Sequence, residues 1–132
     1  MTTSDLPAEG QPDVSSEGTE APFDDVITLS TSTGENGQVT VTVVGEVDTF
    51  TAPVLRSSLD TQLEQSPSEL VIDLSGVQFL GSAGLAVLVE TQKSARSREV
   101  GLRLIATTSA VTRPLEVTGL IDLFTIADST AR

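Results

Sequence analysis

The chain has 132 residues and a formal net charge of −12, which fits one ordinary domain with an acidic surface. It contains no His and no Cys, so His-based acid–base catalysis, a Cys nucleophile, disulfides and the usual zinc sites are excluded. The acidic balance and the absence of Trp and Tyr argue against a nucleic-acid or anionic-membrane surface. No apolar run approaches the roughly 20 residues that span a bilayer, and Met1 leads into acids rather than a basic signal-peptide region. We therefore expect a soluble, cytoplasmic protein.

The first part of the chain differs in composition from the rest. Residues 1–25 hold seven acids and no base, while the remainder holds 12 acids and 7 bases. Residues 1–22 are predicted to be a disordered acidic tail, because they contain too little apolar surface to offset the entropy of ordering. The tail is either a docking or repelling segment or a solubilising extension. Residues 23–132 are predicted to form one domain.

The domain is predicted to begin with a β-hairpin. Residues 26–29 are a β-prone run, and Asn36-Gly37 is a strong turn signal because both residue types tolerate positive φ. Residues 38–47 then alternate Val with Thr in their first half, as in a half-exposed strand.

A helix and a central strand are predicted next. The segment from residue 48 offers a capping hydroxyl and has Pro53 in its first turn, and Ser66-Pro67 ends the helix. Its apolar stripe is formed by Val54, Leu55, Leu59 and Leu63. Residues 69–74 are an apolar run without alternation, which is typical of a central strand covered on both faces.

The second half of the domain continues this alternation. Residues 75–84 are predicted to be a turn into a second helix, and residues 100–106 to be a strand. A third helix at 109–118 is closed by Gly119, and Pro114 in it requires a late start or an irregular first turn. Residues 120–126 supply a last short element. The order β-β-α-β-α-β-α requires parallel, right-handed crossovers, and it predicts an α/β fold: a small mixed β-sheet with helices packed on it.

Ser82 is the principal candidate for chemistry, since it lies in the Gly81-Ser82-Ala83-Gly84 turn between a buried strand and a helix. The simplest interpretation is an N-cap serine. A nucleophile elbow is excluded by the glycine spacing and the absence of His, and neither a Walker loop nor a G-x-G-x-x-G run is present. The remaining interpretation is a phosphoacceptor, because a helix N-terminus tolerates the added charge while a buried contact there would not.

Asp48 is the second candidate, because it also follows a strand directly. The carboxyl ends of neighbouring parallel strands meet at one edge of a sheet, where such folds keep their sites. Asp48 and Ser82 are therefore expected to share an edge. The alternative role for Asp48 is that of an acid at a helix start.

Two segments of the chain resemble the signature blocks of the STAS-domain anti-sigma factor antagonists. The first is Gly45-Glu46-Val47-Asp48-Thr49-Phe50-Thr51-Ala52-Pro53-Val54-Leu55. The second runs from Val71-Ile72-Asp73-Leu74 through Gly81-Ser82-Ala83-Gly84-Leu85, and Val117-Thr118-Gly119-Leu120 is similar to a third, weaker block. The similarity covers about residues 25–128.

The resemblance implies a partner-switching protein with a STAS-like fold that regulates transcription, as in stress responses. In that family the unphosphorylated antagonist binds an anti-sigma factor that is also a serine kinase, which releases a sigma factor. Phosphorylation of the serine, here Ser82, breaks the complex, and a serine phosphatase restores it. The partner surface would comprise seven residues: Asp48, Thr49, Gly81, Ser82, Ala83, Gly84 and Leu85. The antagonist is a ligand and a substrate, not an enzyme, and it needs no cofactor or metal.

This chain departs from the family pattern at two positions. Members often have Asp directly before the acceptor serine and Ser or Thr directly after it, whereas this chain has Gly81 and Ala83. Without this Asp, more of the change in surface charge on phosphorylation must come from the phosphate itself. It also keeps open the alternative of a STAS module that binds its partner constitutively, without phosphorylation. A piece of an anion transporter, whose cytoplasmic end can carry this fold, is a further alternative.

Overall fold

A computed structural model describes residues 27–127 and confirms the predicted order of elements. The strands are β1 (Ile27–Thr33), β2 (Gln38–Val47), β3 (Glu69–Leu80), β4 (Gly101–Ile105) and β5 (Thr125–Ala127). The helices are α1 (Ala52–Glu64), α2 (Ser82–Ser97) and α3 (Ser109–Val117), and a 3-10 helix (Leu120–Leu123) precedes β5. The predicted tail at 1–22 and the predicted domain start at residue 23 lie outside the described residues.

The strands form one mixed sheet in the order β1-β2-β3-β4-β5. β1 is antiparallel to β2, and the other neighbouring pairs are parallel. Because β2, β3 and β4 run in the same direction, their carboxyl ends lie at one edge of the sheet. This is the predicted α/β fold, with α1 packed on β2, α2 on β3 and β4, and α3 on β3.

The hairpin between β1 and β2 differs in detail from the predicted tight turn. The connection spans residues 34–37, and Gly37 has a φ of 81° whereas Asn36 does not have a positive φ. The Gly34 amide donates to the Gln38 carbonyl at 2.7 Å, which closes the loop. The longer loop needs only one left-handed residue, so the freedom of Asn36 is not used.

The core lies between the sheet and the helices. Val39, Val41 and Val43 of β2 are buried at alternate positions, and β3 buries the Leu70–Ile72 run on both faces, as predicted. The predicted stripe of α1 is correct for Leu55, Leu59 and Leu63. It is wrong for Val54, which is 52% exposed, because consecutive residues on a helix point about 100° apart.

β3 continues through the segment that was predicted to be a turn. Residues 75–80 stay paired with β2, and the register shifts between Thr42 and Val44 and again after Gly45. Gly45 has a φ of 117°, and a Cβ at Gly76 would lie 2.9 Å from the Val44 side chain. The small residues therefore mark bulges inside a strand rather than its end. Val77 and Leu80 are buried, which holds this extension to the domain.

α3 accommodates Pro114 in its interior, so neither a late start nor an irregular first turn is needed. At the end of the helix, the Thr118 hydroxyl donates to the Pro114 carbonyl at 2.7 Å. Gly119 follows with a φ of 75°, in the left-handed conformation that commonly terminates helices, which confirms its predicted role.

Candidate functional site

β2 and β3 end side by side, and this places both candidate residues at one edge. Val47 pairs with Leu80, and the Gly81 amide donates to the Val47 carbonyl at 2.9 Å. The turn into α2 is thus hydrogen-bonded to the end of β2. Asp48 and Ser82 lie one and two residues beyond the paired strand ends, as the sequence predicted.

The two turns together line a shallow pocket of about 260 Å³. The pocket is formed by Asp48, Thr49, Phe79, Gly81, Ser82 and Ala83. Five of the seven residues predicted to bind a partner are therefore brought together at one surface. The pocket is small and open, so it suits contact with a protein surface better than enclosure of a substrate.

Asp48 has a structural role at the start of the first helix. Its carboxylate oxygen Oδ1 accepts hydrogen bonds from the Phe50 amide at 2.9 Å and from the Thr51 amide at 3.0 Å. In return, the Asp48 amide donates to the Thr51 hydroxyl at 2.9 Å. This reciprocal arrangement resembles a capping box in the turn that precedes α1. Thr51 is the N-cap residue of α1, but its side chain makes no cap hydrogen bond to the helix, so the predicted capping hydroxyl is wrong. Asp48 thus holds the turn before the helix, and it also lines the pocket.

Ser82 differs from its simplest sequence interpretation. The N-cap residue of α2 is Gly81, in extended conformation with φ −89° and ψ −178°, and Ser82 is the first residue of the helix. Within residues 27–127 the Ser82 side chain accepts and donates no hydrogen bond, and it is exposed. The hydroxyl is therefore not engaged in capping and is accessible at a helix N-terminus, where added negative charge is tolerated.

Gly84 and Leu85 are largely shielded from solvent, although Leu85 still lines a second groove beside Ser82. Both are buried. A Cβ at Gly84 would lie 2.5 Å from the Val47 side chain and 2.7 Å from that of Leu80. The first turn of α2 thus rests directly on the ends of both strands. Gly84 therefore supports the turn and fixes the position of Ser82, and the partner contacts predicted for Gly84 and Leu85 stay a prediction.

Phe79 lines the pocket and was not among the candidates from sequence. It lies on the strand extension, opposite Glu46 in the register, and its side chain is 51% exposed. Because residues 75–84 were interpreted as a turn, the sequence analysis did not predict whether the Phe79 side chain faces solvent. The sequence feature that could have identified Phe79 is an aromatic residue two positions before Gly81.

Other kinds of site find no support in the described part of the chain. Residues 27–127 contain no group of three or more His, Cys, Asp or Glu placed to hold a metal ion. None of the helices in that range is long and apolar enough to cross a membrane.

Comparison with known proteins gives consistent matches over most of the chain. The STAS domain family model matches residues 29–132. The anti-sigma-F factor antagonist RsfB of Mycobacterium tuberculosis is 35% identical over 100 residues, which are 76% of this chain and 80% of RsfB. The anti-sigma-B factor antagonist of Bacillus subtilis is 34% identical over 101 residues, covering 76% of this chain and 91% of the relative.

A solved structure extends the similarity to three dimensions. The crystal structure of an anti-sigma factor antagonist from Mycobacterium paratuberculosis superposes with a TM-score of 0.76 at 38% identity. The superposition covers 85% of this chain and 92% of the other.

Proposed function

Because the chain belongs to the STAS-domain family, we propose that it is an anti-sigma factor antagonist that is controlled by phosphorylation of Ser82. The unphosphorylated protein binds an anti-sigma factor, and a sigma factor is thereby released for transcription. The names of the relatives support the antagonist role. Since sigma factors act on RNA polymerase, the proposed place of action is the cytoplasm.

The accessible hydroxyl of Ser82 at the first position of α2 is the observation that carries the proposal. A kinase, which in this proposal is the anti-sigma factor itself, transfers the γ-phosphoryl group of ATP to Ser82 Oγ and releases ADP. The phosphate adds about −1.5 to −2 charges at a helix N-terminus, where the helix dipole favours them. Phosphorylation therefore changes the surface charge without unfolding the helix.

The same charge acts against a bound partner. A contact that covers Ser82 would have to desolvate the phosphate, and burial of an uncompensated charge is costly. Asp48 lines the same pocket, so its carboxylate adds to the negative potential there. A serine phosphatase would reverse the change by hydrolysing the phosphate ester. The antagonist itself contributes a binding surface and an acceptor hydroxyl, and no catalysis.

The first experiment tests the acceptor. Purified wild-type protein, Ser82→Ala and Ser97→Ala are incubated with labelled ATP in a lysate of the native host. Ser97 is the matched control because it is an exposed serine at the other end of the same helix. We expect label on wild type and on Ser97→Ala, and none on Ser82→Ala. Equal labelling of Ser82→Ala would contradict the assignment.

The second experiment tests the switch. The protein retained on immobilised wild type is identified by mass spectrometry and purified, and its affinity is measured by calorimetry. For an anti-sigma factor, Ser82→Asp is expected to weaken binding at least tenfold, or about 1.4 kcal/mol. Asp48→Asn keeps the capping oxygen and removes the charge, so it separates the two roles of that residue.

Constitutive binding is the second candidate function. It is favoured by Gly81, because the position before the serine carries no carboxylate and lies against the Phe79 ring instead. This candidate predicts no label on wild type and an affinity that ATP does not change. The labelling experiment and calorimetry with and without ATP therefore separate the two functions.

A further inference from the structure

The Phe79 ring lies close to the space that a side chain at position 81 would take. A Cβ built on Gly81 would lie 3.0 Å from ring atom Cε2 of Phe79 and 3.3 Å from Cζ. The backbone of Gly81 is extended, a conformation that any residue adopts. A side chain at position 81 would therefore not strain the backbone, but the exposed end of the Phe79 ring would have to shift by a few tenths of an ångström.

The ring is one of the large apolar side chains that are exposed in the described part of the chain. Phe79 is 51% exposed and Phe50, two residues after Asp48, is 78% exposed. Val44 on β2 is also exposed. Aromatic residues are enriched among the side chains that dominate the energetics of protein interfaces. Phe79 is the member of this group that also lines the Ser82 pocket.

The charges around the pocket limit which kind of protein surface can bind there. The pocket lining contains the Asp48 carboxylate and no cation, and Glu46 lies opposite Phe79 in the strand register. The whole chain has a net charge of −12. A protein surface that covers the ring must therefore be apolar at its centre, and basic side chains at its rim would complement the carboxylates.

We propose that Phe79 determines partner specificity at the Ser82 site by anchoring an apolar, basic-rimmed patch of the anti-sigma factor. The proposal rests on the proposed function and deepens it. Positions 79 and 81 are close enough to be coupled, because a side chain at 81 would shift the ring at 79.

The anchor can be tested without loss of the fold, because the ring is not part of the core. Val77 and Leu80 bury the end of β3, while Phe79 faces outward. Val117 is the matched control, since it is 76% exposed at the end of α3 and is not among the residues that line the pocket of Asp48 and Phe79. Far-UV circular dichroism and thermal melting verify that each variant is folded.

The experiment measures the affinity of the purified anti-sigma factor, identified as described above, for five proteins. They are wild type, Phe79→Ala, Val117→Ala, Gly81→Asn and the double variant Phe79→Ala/Gly81→Asn. We expect Phe79→Ala to lose at least about tenfold in affinity and Val117→Ala less than about twofold. Gly81→Asn, which adds no charge, is expected to weaken binding by about fivefold or more, because its side chain displaces the ring. In the Phe79→Ala background the same change is expected to have less than about a twofold effect.

The outcomes separate this inference from the proposed function. If Phe79→Ala binds within about twofold of wild type while Ser82→Asp is weakened, the anchor is refuted and the switch stands. If Phe79→Ala is weakened and Ser82→Asp is not, the anchor stands and the switch is refuted. If the losses of binding free energy in the two single variants add up in the double variant, positions 79 and 81 are not coupled.

Discussion

Substitution of Gly84 by alanine tests how α2 is held against the sheet. An added Cβ would lie 2.5 Å from Val47 Cγ1 and 2.7 Å from Leu80 Cδ1, both closer than real Cβ contacts. Val47 and Leu80 are buried, and a β-branched valine has few rotamers to escape into. The helix or the ends of the strands must therefore move.

The size of the effect follows from two opposing contributions. Alanine stabilises a helix interior by about 1 kcal/mol relative to glycine. Overpacking of a closely packed core typically costs about 1–3 kcal/mol, and two contacts well under 3.0 Å correspond to the upper end of that range or beyond it. The net expectation is a destabilisation of about 2 kcal/mol or more. For a domain of this size, 2 kcal/mol lowers the Tm by about 8–16 °C.

Thermal and urea unfolding followed by far-UV circular dichroism provide the assay, because the chain has no Trp or Tyr for fluorescence. Gly101→Ala is the control, since its Cβ would meet only Glu69 Cγ at 3.7 Å. Gly84→Ala in a Val47→Ala background is expected to cost less than in wild type, because the second substitution makes room. An unchanged or raised Tm for Gly84→Ala would refute the close packing of α2 on the strand ends.

Three further substitutions test other contacts of the site and of α1. Thr51→Ala removes the hydroxyl that donates to the Glu46 carbonyl at 2.7 Å and accepts from the Asp48 amide. We expect urea unfolding to show a destabilisation of about 1–3 kcal/mol, whereas Thr51→Ser retains most of the stability. The Arg56–Glu90 ion pair joins α1 to α2 with both side chains about half exposed, so a double-mutant cycle is expected to give less than about 1 kcal/mol of coupling. Ser82→Asp is expected to leave the Tm unchanged or slightly raised at low salt, and a marked drop would contradict the placement of Ser82 at the helix N-terminus.

Regular alternation and uninterrupted apolar runs were sufficient to predict most of the fold. The Val–Thr alternation of β2 and the apolar start of β3 predict which residues of these strands are buried. Ser75-Gly76 misled the prediction, because small residues signal turns and bulges equally well in a single sequence. Only the pairing partner distinguishes them, and here Val44 of β2 occupies the space beside Gly76.

The candidate site was predicted in its position but not in its details. Two strand ends followed by polar residues were enough to bring Asp48 and Ser82 to one edge. The hydroxyl of Ser82 suggested an N-cap, yet Gly81 holds that place because its amide bonds to Val47 and sets where the helix begins. Phe79 was missed for the same reason as the strand extension, since its direction depends on the bulged register.

The arrangement explains how a phosphate could switch binding without reshaping the domain. The first turn of α2 packs closely on Val47 and Leu80 at Gly84, and this packing holds the backbone near Ser82 in place. The Ser82 side chain is exposed, and within the described residues it makes no hydrogen bond. In the free protein, a charge added there is solvated and stabilised by the helix dipole. In the complex, the partner surface would bury the charge, and that burial is costly. The proposed switch therefore predicts a free-energy change in binding and none in folding, so the unfolding of Ser82→Asp and its affinity must be measured on the same preparation.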